Sequence, residues 1–499
     1  MATGMRKLAK ETAVYGLSSM IGRFLNWLLV PMYTRVLEGT GEFGIYTNLY
    51  AWVALLLILL TYGMETGFFR FVNKKEEQEP LRVYATTLTS IGISSLTFLL
   101  LTLCFLRPIS SLLNYAGHPE YLAMMLGVVS IDAFCCIPFA YLRYKGRPFR
   151  FMGIKLLSIF LNIVLNLFFL ILCPRIHQEA PERISWFYLS GYGIGYVFVA
   201  NVITSAVTLL VLIPDMLPAF GHKPSLALLK RMFRYSFPML ILGIAGILNQ
   251  TADKILFPYL FADKSYAQEQ LGIYGACFKI AVVLVMFIQA FRYAYEPFVF
   301  ARNKSGGNRT KVYSEAMKYF IIFALFIFLG VMFFLDLLKY FVAPAYYPGL
   351  SVVPIVMLGE LFFGIYFNLS IWYKLSDQTR WGAYFSIAGC VVTVSIILVF
   401  APVYGFMACA WASLVCNLLM MLLSYFVGQR KFPVSYDLKS AFIYFALAMS
   451  LYCAGILPVI EAEILRIFYR VALLMVFLWT VIKRDFPYKA HKRKKTMNY

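Results

Sequence analysis

The sequence predicts an all-α polytopic membrane protein, and three observations lead to that fold class. Of the 499 residues, 61% are hydrophobic and only 14% are charged, whereas about half of a soluble domain is apolar. Apolar segments of about 20 residues, long enough to cross a bilayer as helices, recur along the whole chain. Lys and Arg are concentrated in alternate connections between these segments.

We assign about 14 transmembrane helices to these apolar segments. The predicted spans are 12–36, 44–68, 84–106, 119–143, 150–173, 186–213, 232–256, 270–298, 314–336, 350–374, 380–401, 404–427, 439–457 and 464–482. The first segment is not interpreted as a cleaved signal peptide, because it is too long, contains Arg23 and lacks a small-residue cleavage site.

The distribution of basic residues predicts the orientation, because Lys and Arg accumulate on cytoplasmic loops. Basic clusters lie at 6–10, 70–82, 143–155, 223–234, 302–318, 374–380, 430–439 and 483–495. Lys155 is counted here with the cytoplasmic cations. The intervening loops carry far fewer basic residues, so we expect both termini in the cytoplasm and an even number of spans.

Composition also excludes several classes of protein. The net charge of +21 is scattered along the chain, which argues against a nucleic-acid partner. The nine cysteines lack paired C-x-x-C spacing, and no phosphate-binding G-x-x-x-x-G-K-[ST] motif is present. Without a long outer loop to carry chemistry, we expect a protein that is not an enzyme and that has no metal site and no cofactor.

The chain is predicted to contain two equivalent six-helix bundles followed by two extra helices. The N-terminal bundle covers 1–213, a Pro- and Gly-containing cytoplasmic linker covers 214–229, and the C-terminal bundle covers 230–427. Helices 13 and 14 occupy 428–483, and a basic cytoplasmic tail occupies 484–499. The tail fits either a topology determinant or a site for anionic lipid.

A short motif supports the internal duplication. Phe43-Gly44-Ile45-Tyr46 opens the second span and Leu271-Gly272-Ile273-Tyr274 opens the eighth, at matching places in the two bundles. A parallel repeat related by an axis along the membrane normal predicts a transporter whose bundles rock around a site between them.

The same motifs resemble a known family. Tyr15-Gly16, the run from Pro31 to Leu37 and Phe43-Gly44-Ile45-Tyr46 are similar to the start of bacterial polysaccharide transporters. In the second half the resemblance continues through Asn249, Asp253-Lys254, Gly272-Ile273-Tyr274 and Glu296-Pro297. These transporters form the O-antigen flippase branch of the multidrug/oligosaccharidyl-lipid/polysaccharide (MOP) flippase superfamily.

This resemblance implies a function, a location and a set of partners. A protein of that family moves undecaprenyl-pyrophosphate-linked oligosaccharide from the inner to the outer leaflet of the bacterial inner membrane, for surface polysaccharide biosynthesis. The partners implied are that lipid-linked glycan, membrane lipids and other polysaccharide assembly proteins.

Three cations inside the spans are candidate ligands of a pyrophosphate. They are Arg23 in the first span and Lys279 and Arg292 in the eighth. Ionisable groups within a membrane are costly and mark functional sites by default. Two structural alternatives remain open: Arg23 could cap carbonyl groups of a neighbouring helix, and Arg292 could pair with Glu296 one turn away.

Polar residues on shared helix faces are candidates for the lining of a cavity. They are Asn26, Asn162, Asn166, Gln250, Asp253, Gln289 and Asn368. These side chains could bind sugar hydroxyls, or they could form hydrogen bonds between helices.

Asp132 and Glu360, each near the centre of its span, are the candidates for coupling to H⁺ or Na⁺. The alternative is that each neutralises a fixed cation. No His lies inside a span, so coupling through a histidine relay is not expected.

Three functions are compatible with a protein of many transmembrane helices. A multidrug antiporter for lipophilic cations would need an acidic or aromatic cavity, whereas a pyrophosphate carrier needs cations. A membrane polymerase or ligase would need a large outer loop. The intramembrane cations favour the lipid-linked oligosaccharide flippase.

Overall fold

The computed structural model describes residues 16, 20–73, 79–303, 309–376, 378–458 and 461–485, without the side chains of 296–298 and 300–309. Those residues form helices and connecting turns, and no strand occurs among them. Thirteen helices in the described part are long and apolar enough to span a membrane. The predicted first span, 12–36, lies partly outside the described residues.

The first half of the chain forms the N-terminal unit. Its helices are α1 (20–27), α2 (Val30–Val36), α3 (Thr40–Thr61), α4 (Met64–Val72), α5 (Pro80–Cys104), α6 (Leu106–Leu112), α7 (Pro119–Tyr144), α8 (Pro148–Leu167), α9 (Cys173–Glu179) and α10 (Gly195–Phe220). A π-helical turn at Phe168–Leu172 joins α8 to α9. Proline at the start of α5, α7 and α8 suits the first helical turn, where the missing N–H is not needed.

The second half forms the C-terminal unit and the two extra helices. The unit contains α11 (Leu226–Leu256), α12 (Lys264–Asn303), α13 (Arg309–Phe333), α14 (Leu335–Leu338), α15 (Val352–Leu369), α16 (Ile371–Leu375), α17 (Arg380–Tyr404) and α18 (Phe406–Lys431). The extra helices are α19 (Leu438–Ile456) and α20 (Glu463–Asp485). Short 3₁₀ turns lie at Pro181–Arg183, Phe257–Tyr259, Lys339–Phe341 and Pro344–Ser351.

The predicted linker at 214–229 is too long. Helix α10 continues through Pro214 and Pro218 to Phe220, and α11 already begins at Leu226. Both prolines lie within the last two turns of α10, and the helix continues past each of them. The connection is therefore confined to 221–225.

The hydrophobic core is continuous near the end of the molecule where α3 and α12 begin, which the predicted orientation places outside. Buried residues of both units, such as Phe43 and Leu271, belong to that core. Toward the other end the core divides: one cluster surrounds Phe68 and Tyr84, and another surrounds Trp372 and Phe385. The two units are thus most tightly joined at the outer end.

Ion pairs hold α20 against α13 and α14, and a hydrogen bond joins α19 to α20. Near one end, Asp336 accepts hydrogen bonds from Arg470 at 2.6 Å and pairs with Arg466 at 3.2 Å. At the other end, Lys318 Nζ lies 2.5 Å from Asp485 Oδ1, and Tyr444 also donates to Asp485. These contacts attach the extra helices to the C-terminal unit.

The helix α19 also has a charged N-cap. Asp437 Oδ1 accepts a hydrogen bond from the Ser440 amide at 3.0 Å. The hydroxyl and the amide of Ser440 favour the ionised carboxylate, so they hold the pKa of Asp437 below its usual range.

The predicted orientation can be tested with cysteine substitutions at described, loop-facing positions. We expect an impermeant thiol reagent to label Lys264→Cys in intact cells and to spare Lys223→Cys until the membrane is permeabilised. The opposite pattern would show that the orientation is inverted. A background without the exposed Cys104 and Cys453 serves as the control.

Candidate functional site

The N-terminal unit contains a cavity of about 600 Å³ between its helices. Helices α1 to α4, α7, α8 and α10 line it. The polar and charged residues in its wall are Asn26, Tyr33, Tyr46, Tyr50, Thr61, Glu65, Asp132, Arg143, Lys155, Ser158, Asn162, Asn201, Thr204, Ser205 and Thr208. A cavity of this size is within the range that holds organic ligands. Its concentration of polar groups is unusual inside otherwise apolar helices.

An ion pair lies at the end of the cavity that the predicted orientation places in the cytoplasm. The Arg143 guanidinium, near the end of α7, donates to the Glu65 carboxylate at the start of α4. Arg143 also lies over the Phe69 ring, with its guanidinium carbon 5.1 Å from the ring centroid. Glu65 therefore pairs with a cation in the last turn of a neighbouring helix.

Two opposite charges lie deeper in the cavity. Asp132 lies about 16 Å from Arg143 along α7, and its Oδ1 accepts a hydrogen bond from Ser205 at 2.9 Å. Lys155 of α8 points its ammonium at the Phe139 ring, 4.0 Å from the centroid. Asp132 and Lys155 interact electrostatically but do not form a direct ion pair.

A chain of amide hydrogen bonds crosses the cavity above these charges. Asn201 Nδ2 donates to Tyr50 Oη at 2.6 Å, and Asn162 Nδ2 donates to Asn201 Oδ1 at 3.0 Å. Asn166 donates in turn to the backbone oxygen of Asn162 at 2.7 Å. The Asn166 Oδ1 and Thr204 Oγ1 atoms are buried without a hydrogen-bond partner in the structure. The Asn166 oxygen can therefore still accept a hydrogen bond from a ligand, and the Thr204 hydroxyl can still donate or accept one.

The outer end of the molecule is closed by the two copies of the repeated motif. Gly44 and Gly272 face each other where α3 and α12 begin. A Cβ on Gly44 would lie 1.9 Å from the Gln268 oxygen, and one on Gly272 would lie 1.8 Å from the Thr40 oxygen. Only glycine permits this backbone approach. The repeat that predicted two equivalent units also forms the contact between them.

Polar and aromatic contacts strengthen the outer closure. Asn48 Nδ2 donates to the Lys254 backbone oxygen across the units at 2.7 Å, and Trp27 Nε1 donates to the Lys279 backbone oxygen at 2.7 Å. The Trp27 ring stacks on Phe341 at a centroid distance of 4.2 Å.

The units also touch at the opposite end, which the predicted orientation places in the cytoplasm. The Ser236 hydroxyl of α11 lies beside Gly67 of α4, where a Cβ would meet it at 2.6 Å. The Arg70 guanidinium lies over the Tyr235 ring at 4.0 Å. This conformation therefore has contacts between the units at both ends.

The three predicted pyrophosphate ligands lie on α1 and α12 and do not form one cluster. Arg23 is exposed and shares a pocket of about 400 Å³ with Gln289. Lys279 Nζ lies 5.9 Å from the centroid of the Tyr46 ring, at the outer end of the large cavity. Arg292 lies 4.7 Å from the Phe367 ring, about 20 Å from Lys279 along α12.

Several predicted lining residues belong to the large cavity and others do not. Asn26 and Asn162 line it, and Asn166 is bound to Asn162. In the C-terminal unit, Gln250 is exposed, and the buried Asn368 donates to the Gly364 oxygen of its own helix at 2.9 Å.

Asp253 and Glu360 lie in a separate cluster of the C-terminal unit. Asp253 pairs with Lys254 at 2.8 Å and accepts a hydrogen bond from Tyr274 at 2.7 Å. Glu360 interacts electrostatically with both members of that pair. This carboxylate thus lies beside an existing ion pair, outside the large cavity. No cluster of His, Cys, Asp and Glu suited to a metal ion occurs in the described part of the chain.

Sequence reasoning missed Lys155 and Arg143 as cavity residues, because both were counted with the cytoplasmic cations. A signal for Lys155 was present. Lys155, Ser158, Asn162 and Asn166 follow at helical spacings of 3 and 4, so they share one face of α8.

A repeated motif at the contact between the two halves and a polar cavity among apolar helices are features of a membrane transporter. The fold agrees with this class. The flippase described as "Lipid II flippase MurJ, inward closed conformation" superposes with a TM-score of 0.72 at 13% identity, covering 95% of this chain and 99% of that one. An inward-facing multidrug resistance MATE family transporter of the MOP superfamily gives 0.63 at 14% identity, with 84% and 94% covered.

A third structure, the MATE multidrug transporter DinF-BH in complex with R6G, gives a TM-score of 0.60 at 17% identity, with 87% and 96% covered. No curated protein sequence matches the chain. The family model for "Polysaccharide biosynthesis protein" matches residues 8–300. The chain therefore belongs to the polysaccharide biosynthesis protein family, and it is a multi-pass membrane protein with the fold of MOP transporters. The predicted family and fold class are confirmed.

Proposed function

We propose that this protein moves an undecaprenyl-pyrophosphate-linked oligosaccharide from the cytoplasmic to the outer leaflet of the bacterial inner membrane. The observation that carries the proposal is the polar cavity of the N-terminal unit, beneath an outer end closed by Gly44 and Gly272. A site inside the membrane and a separable contact between two units are the parts that alternating access requires.

The position of Arg23 supports an anionic substrate. This guanidinium is exposed near the middle of an apolar segment and has no hydrogen-bond or ion-pair partner among the described residues. An unpaired cation at that depth requires water or an anion. The pocket that Arg23 shares with Gln289 lies between α1 and α12, one helix from each side of the boundary.

The spacing of the three cations refines the predicted pyrophosphate site. A pyrophosphate cannot contact Lys279 and Arg292 together, because about 20 Å separates them along α12. We therefore assign these boundary cations, Arg292, Arg23 and Lys279, to successive contacts as the head group crosses the membrane.

The cavity's charge balance disfavours the alternative function, a multidrug antiporter for lipophilic cations. Each carboxylate in the cavity wall faces a cation: Glu65 pairs with Arg143, and Asp132 interacts with Lys155. A site for lipophilic cations would need unbalanced negative charge. Of the two carboxylates proposed for coupling, Asp132 is the one inside the cavity, and we propose it as the group that exchanges H⁺ or Na⁺.

Substitution of the boundary cations tests the proposed function in proteoliposomes. We expect Arg23→Ala, Lys279→Ala and Arg292→Ala each to slow flipping of a labelled lipid-linked oligosaccharide by about tenfold or more, since each removes a charge-assisted phosphate contact. Arg23→Lys should restore part of the rate, because lysine cannot form a bidentate pair. Arg183→Ala, in an outer 3₁₀ turn, is the matched control. Wild-type flipping by the Arg23→Ala, Lys279→Ala double variant would contradict the role of these cations.

An imposed ion gradient tests the coupling role of Asp132. We expect the flipping rate of the wild-type protein to respond to a pH or Na⁺ gradient, and Asp132→Asn to lose that response while remaining folded. Glu360→Gln should keep the response, because Glu360 lies outside the cavity. A wild-type rate that ignores both gradients would mean that the substrate gradient alone drives transport.

A further inference from the structure

Lys155 has an ammonium group without a hydrogen-bond acceptor inside the N-terminal cavity. Its side chain is half-buried and contacts the Phe139 ring, and no acceptor for its three N–H groups is found among the residues that the structure describes. A ring face offsets only part of the cost of desolvating an ammonium. The group is therefore open to a ligand from the cavity side.

Three other cations within the predicted spans have a carboxylate partner. Arg143 is paired with Glu65, Lys254 with Asp253, and Lys318 with Asp485. Asp132 forms no direct ion pair with Lys155, and its Oδ1 accepts a hydrogen bond from Ser205 at 2.9 Å. Asp132 thus supplies a balancing charge at a distance and leaves the ammonium donors free.

Two hydroxyl groups in the wall of the same cavity are also without partners. Ser158 follows one turn later on the same face of α8, lines the cavity, and makes no hydrogen bond in the described structure. On the facing helix α10, Thr204 lines the cavity with a buried Oγ1 that has no partner. One ammonium and two hydroxyls can all donate to the oxygen atoms of one anion.

We propose that Lys155, Ser158 and Thr204 form a binding site for a phosphate or pyrophosphate group. This inference rests on the proposed function for its natural ligand, which is the pyrophosphate of a lipid-linked glycan. The site would hold that group inside the cavity while the glycan crosses the membrane. Without a ligand, the negative charge of Asp132 offsets the positive charge of Lys155. When an anion enters, it accepts charge-assisted hydrogen bonds from the Lys155 ammonium. The boundary cations then guide the head group, and the Lys155 site holds it.

The chemistry of the site selects an anion over the other ligands. An ammonium can only donate hydrogen bonds, so it cannot bind a cation. A neutral sugar could use the amides Asn162 and Asn201, but it would leave the Lys155 charge without a counter-ion. The 600 Å³ of space is ample for a pyrophosphate with part of its attached glycan.

Binding of small probes to the purified protein in nanodiscs tests this site. The probes are inorganic pyrophosphate and farnesyl pyrophosphate, with farnesol as the uncharged control, and affinity is measured by titration calorimetry. We expect Lys155→Met to weaken binding of both pyrophosphates by about ten- to a hundredfold, the usual effect of losing a charge-assisted hydrogen bond. Lys155→Arg should retain part of the affinity, and farnesol should bind both proteins alike.

Lys145→Met is the matched control. Lys145 also contacts aromatic rings, 5.5 Å from Tyr141 and 5.9 Å from Tyr144, but lies at the end of α7 outside the cavity. Its substitution should leave pyrophosphate affinity unchanged. A melting temperature of Lys155→Met equal to the wild type excludes misfolding, and Ser158→Ala provides a milder second variant that should weaken binding less.

The outcomes separate this site from the proposed function. Unchanged pyrophosphate affinity in both Lys155→Met and Ser158→Ala, or no binding to the wild type at millimolar concentration, overturns the site. If Lys155→Met flips lipid-linked oligosaccharide normally, the site is wrong while the flippase function stands. If the wild type binds pyrophosphate through Lys155 but flips no such lipid, the site stands and the proposed function fails. Tighter binding of farnesyl pyrophosphate than of inorganic pyrophosphate identifies a lipid-linked rather than a free anion.

Discussion

The backbone contact between α3 and α12 determines how the two units of this protein meet. Gly44 and Gly272 bring the helix starts so close that any larger side chain would overlap a carbonyl oxygen. The contact is surrounded by buried side chains of both units, such as Phe43 and Leu271, so its opening must also separate that part of the core. The same motif is used once in each unit, which gives the contact its approximate two-fold symmetry.

The second constraint is the cost of charge within apolar helices. Charges that stabilise the fold are paired with an opposite charge nearby. Examples are the Lys318–Asp485 and Arg470–Asp336 pairs, which attach α20. In the cavity and along the α1–α12 boundary, Lys155 and Arg23 lack such direct pairs among the described residues. The contrast between paired and unpaired charge separates groups that stabilise the fold from groups available to a substrate.

Much of this architecture could be predicted from the sequence because hydrophobicity, helix spacing and charge asymmetry are local signals. The repeated Gly-Ile-Tyr motifs predicted two equivalent units, but not that Gly44 would face Gly272. Lys155 was assigned to the cytoplasm because the rule for basic loops weighs position along the chain and ignores the helix face. Pro214 and Pro218 were interpreted as helix breakers, although α10 continues through both of them to Phe220.

The placement of the candidate site depended on contacts between distant segments, which a single sequence does not contain. The separation of Lys279 from Arg292 can be calculated from the helix rise, because both residues lie on α12. The position of Arg23 beside Gln289 depends on how α1 packs against α12, which the sequence does not show. Likewise, Asn162 could be placed on a polar face, but its bond to Asn201 joins helices that the sequence does not show to be neighbours.

The proposed transport cycle requires the outer contact between α3 and α12 to open. The most direct measurement is the distance between spin labels on Gly41→Cys and Glu269→Cys, two positions that touch across that contact. In nanodiscs, pulsed electron paramagnetic resonance should give one short distance for the protein alone and an added population at longer distance with lipid-linked oligosaccharide. A single short distance under both conditions, in a protein that flips its substrate, would contradict the account.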